Sequence, residues 1–249
     1  MQHRVTSSGN AKVSLARIVY LFPSRIKVCY NATQTKKEGS VARPTNDELK
    51  TKIMAEAWRQ FRDRGYSATS YTSVAEACGI SRNLAQYHFP KKERLAIAFM
   101  EDLLARCQQA LGYYDDQVSG DYQRIYELGC CFFAHLLERG YDRFLLDIIE
   151  SREMTESVIA FNGAWALQRT GETPVSDEAQ QRIMRVVVIH MGGFYEWLYH
   201  CLRNGLPFDV PQELAPVMRA YVQALGVPPR QAEGMFQDMS RAKDALLIL

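Results

Sequence analysis

The stretch GISRNLAQYHFPKKERL, residues 79–95, decides the fold. Gly79 and Ser81 open it and Pro90 closes it, leaving a helix of about two turns, too short to be stable alone. Gly79 suits the left-handed conformation that ends a preceding helix. Ile80 is placed to plug the angle between two helices, and Ser81 to cap the second. Residues four apart share a helix face, so Ala85 and Phe89 turn together toward a core. Arg82 with Gln86, and Asn83 with Tyr87, then pair on the exposed face. Arginine suits guanine edges, and asparagine or glutamine suits adenine edges. Leu84 and His88 lie at the margins, Leu84 suited to a thymine methyl and His88 to a phosphate. Pro90 stops the helix. Lys91 and Lys92 begin the next one, whose N-terminal amides and ammonium groups favour a phosphate, with Lys92 the better placed. For any one of these residues a solvated polar face is the simpler account; the whole set at this spacing favours DNA.

The flanks supply the rest of a helix-turn-helix. Upstream, Thr45 and Glu48 read as a capping box before an apolar face of Leu49, Ile53, Ala57 and Phe61, with Met54 and Trp58 beside it, and Gly65 ends that helix. A short helix over 70–78, capped by Thr69 or Ser70, turns Val74, Ala75 and Cys78 inward. Downstream, residues 92–111 carry Leu95, Phe99, Leu103 and Leu104 at helical spacing. Further helices are expected over 122–139, 141–151, 153–169, 176–204, 211–225 and 229–247, separated by glycine- and proline-bearing breaks. RVVVIHM (185–191) is β-branched, but it lies within a long capped window and reads as buried helix. The fold class is all-α.

Composition bounds the rest. The chain has 249 residues, 47% hydrophobic and 23% charged, an ordinary globular balance. No apolar run approaches the roughly 18 residues of a membrane span. ARIVYLF (16–22) is too short and too soon interrupted by Pro23, Arg25 and Lys27 to read as a secretory signal. Cys29, Cys78, Cys107, Cys130, Cys131 and Cys201 show no metal-ligand spacing and suit buried thiols in a reducing cytoplasm, so neither metal nor cofactor is expected.

The net charge of +2 hides a division. Residues 1–40 hold seven Lys/Arg against Glu38 alone, residues 41–95 ten basic against six acidic, and the remainder thirteen basic against twenty-one acidic. Only the N-terminal part is suited to a polyanion. Residues 1–40 lack a sustained period and end in the polar NATQTKKEGS. They read as a flexible basic extension with a transient strand near 18–22.

TSYTSVAEACGISRNLAQYHFPKKERL (69–95) resembles the DNA-binding signature of the TetR family of transcriptional regulators. It aligns without a gap to that family's Thr, Ile-Ala, Ala-Gly-Val-Ser, Leu-Tyr, His-Phe and Lys-Glu pattern, and the likeness covers roughly residues 45–100. It implies a helix-turn-helix domain (41–95) followed by a larger helical ligand-binding and dimerisation domain (96–249). It also implies a homodimer on a palindromic operator in double-stranded DNA, and release of a repressor by a small-molecule effector. By position, Arg82, Asn83 and Leu84 fall where the family reads bases. Tyr71, His88 and Lys92 fall where it holds phosphate, and Thr72 where the second helix touches a base. The family usually has leucine and tyrosine where this chain has Ala85 and Gln86, which thins the packing under the helix and removes a backbone contact; Tyr87 is placed to compensate.

The acidic remainder is read more coarsely. Residues 182–202, with Gly192-Gly193 in the middle, are apolar nearly all round and so buried. With Leu214, Val217, Met218, Tyr221 and Leu225 they suit a four-helix dimer interface or the chain's own core equally, and the resemblance favours the dimer. Phe99, Phe132, His135, Phe144, Phe161 and Trp165 are candidate walls of a ligand pocket, although aromatics at helical spacing more often form core. His135 and His190 read as core histidines, and Arg143, Asp147 and Glu150 as a solvated face. An enzyme is disfavoured, since no nucleophile elbow, phosphate loop or metal motif is present. An architectural DNA-binding protein is the closer alternative, with the basic extension as an arm.

Overall fold

The computed structural model describes residues 46–112, 122–152 and 176–249, which belong to one compact unit. Among them are ten helices and no strand, in accord with the all-α expectation. These are α1 (Asn46–Arg64), α2 (Tyr71–Cys78), α3 (Arg82–His88), α4 (Lys92–Ala110), α5 (Tyr122–Glu138), α6 (Asp142–Glu150), α7 (Asp177–Asn204), α8 (Val210–Ala224), α9 (Pro229–Glu233) and α10 (Ser240–Ile248). The basic extension, the Thr45 cap and the helix expected over 153–169 lie outside the described residues.

Most boundaries follow from local chemistry. Ser176 caps α7 by accepting the Ala179 N–H at 3.2 Å, and Gly205, at φ 63°, ends it. Asp209 caps α8 through the Gln212 N–H at 3.0 Å. One expectation needs correction: residues 229–247 are not a single helix. The chain breaks between α9 and α10 around Phe236, which is 3% exposed and adopts φ 64°. Gln123 of α5 holds that bend from afar, accepting the Phe236 N–H at 3.1 Å and donating to the Asp238 carbonyl at 3.0 Å. The Phe236 ring packs on Tyr126, 5.2 Å between centroids. Asp238 then accepts from both the Ser240 N–H and hydroxyl, starting α10.

The three N-terminal helices, of which α2 and α3 are short, are built onto the rest. α1 packs against α2, α4 and α6; α5 packs against α4, α8 and α10; and α7 lies between α6 and α8. α4 carries the chain from one part to the other, so the expected division at 95/96 falls inside a continuous helix. Phe61, Phe99 and Phe144 are almost fully buried where α1, α4 and α6 meet, and burying each contributes about 1.5–3 kcal/mol. The five described cysteines are buried and unpaired by disulfides.

Candidate nucleic-acid interface

The turn between α2 and α3 is closed by backbone geometry. Gly79 sits at φ 67°, ψ 33°, and the Gly79 and Ile80 amides donate to the Glu76 and Ala75 carbonyls at 3.0 Å each. This is the paired closure that a left-handed residue after a helix permits. Ser81 then accepts the Leu84 N–H at 3.2 Å and starts α3. Ser70, rather than Thr69, caps α2 through reciprocal bonds with Ser73, both 3.1 Å. Thr69 is buried and donates to the Gly65 carbonyl at 2.8 Å.

On α3, Ala85 is 0% and Phe89 4% exposed, so the inward face is as expected. Arg82, Asn83 and Tyr87 face solvent together, Tyr87 at 76% exposure, while Leu84, Gln86 and His88 are half-buried beside them. The Tyr87 and His88 rings meet edge-on at 5.5 Å. Thr72 is exposed on α2, and Lys91 at the start of α4. These side chains form an outward polar surface in which arginine and asparagine supply hydrogen-bonding groups that match base edges.

Two residues expected at phosphates already hold partners inside the chain. The Tyr71 hydroxyl donates to the Phe89 carbonyl at 2.6 Å, bolting α2 to the end of α3. Burial first, and the nearby Glu93 carboxylate second, push its pKa up to about 12. The Lys92 ammonium donates to the Tyr66 and Thr69 carbonyls at 3.1 and 3.2 Å and lies 4.1 Å from the Tyr66 ring centre. Both side chains brace the helix-turn-helix from within.

Other braces carried little signal in the sequence. Gln60, 1% exposed, donates to the Ser73 carbonyl at 3.0 Å and accepts from the Ser73 hydroxyl at 2.6 Å, joining α1 to α2. Lys52 donates to the Cys78 carbonyl at 2.9 Å, placing a cation at the C-terminal end of α2. A buried glutamine on an otherwise apolar face is the one feature that sequence inspection could have used.

The candidate pocket residues divide. Phe99 and Phe144 pack on one another at 5.1 Å, with Trp58, Phe61 and Tyr141 around them. Phe132 meets Phe133 edge-on at 5.2 Å. His135 is buried, and its pKa is lowered to about 4 by burial and then by the charges of Arg106 and Arg139, so it is neutral in the core. His190 is half-buried, with Nδ1 2.8 Å from the Val186 carbonyl. Phe161 and Trp165 lie outside the described residues.

On α7, Ile183, Val187, Met191, Phe194, Tyr195 and Leu198 face the chain's own core, as do Leu214, Met218 and Tyr221 of α8. The opposite side keeps Val188, Ile189 and Trp197 at 45%, 61% and 43% exposure. A Cβ added to Gly192 or Gly193 would meet nothing within 4 Å. No described helix is long and apolar enough to cross a membrane.

Residues 53–99 match the family described as bacterial regulatory proteins, tetR family. The chain is also similar to the HTH-type transcriptional regulator EthR of Mycolicibacterium smegmatis, 27% identical over 101 residues. That match covers 41% of this chain and 46% of the relative, so it spans less than half of either. No solved structure matches significantly.

Proposed function

We propose that the chain, whose residues 53–99 match the tetR family, is a TetR-type regulator: a sequence-specific, double-stranded-DNA-binding transcriptional regulator acting in the cytoplasm. It works as a homodimer on a palindromic operator and represses until a small-molecule effector releases it. The observation that carries this reading is α3, with Ala85 and Phe89 buried beneath it and Arg82, Asn83 and Tyr87 presented together on a braced scaffold. Arg82 and Asn83 read base edges, with Leu84 and Tyr87 beside them; Gln86 and Thr72 flank that set, and His88 lies toward the phosphates. Tyr71 and Lys92 serve the DNA by holding the domain in shape, through the Phe89 carbonyl and the 66–69 loop. Lys91, exposed at the start of α4, supplies the charge that meets phosphate.

Selecting bound fragments from random duplexes tests this. A two-fold symmetric consensus is expected. Arg82→Ala and Asn83→Ala should each relax discrimination at one base position by about 1–3 kcal/mol. Lys91→Ala should weaken binding to all sequences alike and reduce the salt slope by about one. Binding with no consensus, insensitive to Arg82 and Asn83, would point instead to the architectural class.

A further inference from the structure

The loop between α1 and α2 is gripped from two sides. From α4, Lys92 holds the Tyr66 and Thr69 carbonyls. From α6, Asp147 Oδ2 accepts the Ser67 N–H at 2.7 Å, across 80 residues of sequence. The sequence places Asp147 on a solvated face; the structure instead leaves it half-buried against this loop. Gly65 makes the approach possible, because a Cβ there would lie 2.6 Å from Asp147 Oδ2 and 3.2 Å from Arg143 Cβ. The remaining contact between α6 and α1 includes Phe144 against Phe61, 5.2 Å between ring centres. Apolar burial attracts without direction, whereas a carboxylate on a backbone N–H is short, strong and oriented.

We propose that Asp147 is a positioning residue for DNA recognition: its bond to Ser67 sets the angle at which α6 holds the helix-turn-helix. It thereby sets the spacing of the two recognition helices in the dimer. The proposal rests on the DNA-binding reading above. A protein that binds two half-sites tolerates only the operator spacing that its two heads can reach together. Loosening one oriented bond in each subunit lets the heads adapt to other spacings while α3 itself is untouched.

The test uses the full chain and two sets of duplexes: the selected operator, and the same half-sites moved apart or together by one base pair. The wild type should prefer the selected spacing. Asp147→Ala should reduce that preference by about tenfold, the scale of coupling between sites, with base preferences within each half-site unchanged. Asp147→Asn keeps an oxygen acceptor and should fall between. Exchange of the Ser67 amide with solvent, followed by NMR without DNA, should quicken in the order wild type, Asn, Ala. Unchanged spacing preference in a folded Ala variant overturns the proposal and leaves the DNA-binding reading intact. If the wild type selects no paired half-sites, that reading falls and the spacing role with it, while the amide exchange still reports whether the bond exists.

Discussion

A methyl group on Gly65 would do two kinds of harm, and another glycine of the chain separates them. Gly65 and Gly205 both occupy the left-handed region, at φ 86° and φ 63°. A Cβ at Gly205 meets nothing within 4 Å, whereas at Gly65 it collides with the Asp147 carboxylate. Gly205→Ala should therefore cost about 1 kcal/mol, the backbone cost alone. Gly65→Ala should cost about 2–4 kcal/mol, because the loop must also give up its fit to α6. Urea unfolding of both variants measures the difference, and equal losses would mean that the α6 contact adds nothing. At this scale the sequence shows side-chain chemistry and conceals direction. A lysine or a tyrosine hydroxyl that suits a phosphate suits a backbone carbonyl just as well, and Lys92 and Tyr71 bond to carbonyls. Residue type says what a group can donate to, and only the fold says which acceptor lies closer.

Among elements, α3 shows how a departure from a family pattern is absorbed. Ala85 stands where leucine is usual, and it is 0% exposed, with Phe89 at 4% one turn on. Gln86, half-buried, follows it. The Ala85 methyl beneath α3 is thus sealed from solvent. Ala85→Leu, which restores the family residue, is expected to destabilise the protein by about 1–3 kcal/mol through overpacking and to weaken operator binding with it. Thermal unfolding followed by circular dichroism checks this; a stabilised variant would mean that the smaller side chain leaves a void. Helices α2, α3, α7 and α8 were legible because their caps are local: Ser70, Ser81, Ser176 and Asp209 each bond an amide three residues ahead. The break before α10 was not legible, because its cause is remote. Gln123 satisfies the Phe236 amide and the Asp238 carbonyl from more than a hundred residues away, and no window of local sequence contains that information.

For the molecule as a whole, the question left by the sequence was whether the apolar α7 faces its own chain or a partner. The structure divides the helix between two surroundings. One side packs in the core with α8, and the other exposes Val188, Ile189 and Trp197 around a glycine pair. Trp197 is held in place by a 2.8 Å bond from its indole N–H to Glu213 of α8 and by its stacking on His200. Paired glycines beside exposed apolar side chains permit another helix to approach closely, and a two-fold interface would set this surface against its own copy. Ile189→Glu and Gly193→Arg place charge on that surface without entering the core, since Ile189 is 61% exposed and Gly193 faces open space. The melting temperature of the dilute protein should therefore hold nearly constant in both. Sedimentation velocity should show dimer association weakened by about thirtyfold or more, the effect expected for a central contact. Affinity for the palindrome should fall while binding to an isolated half-site persists, because each α3 remains intact and only the second contact is lost. Variants that stay dimeric at wild-type strength would place the partner surface elsewhere and leave the exposed side of α7 for a different role.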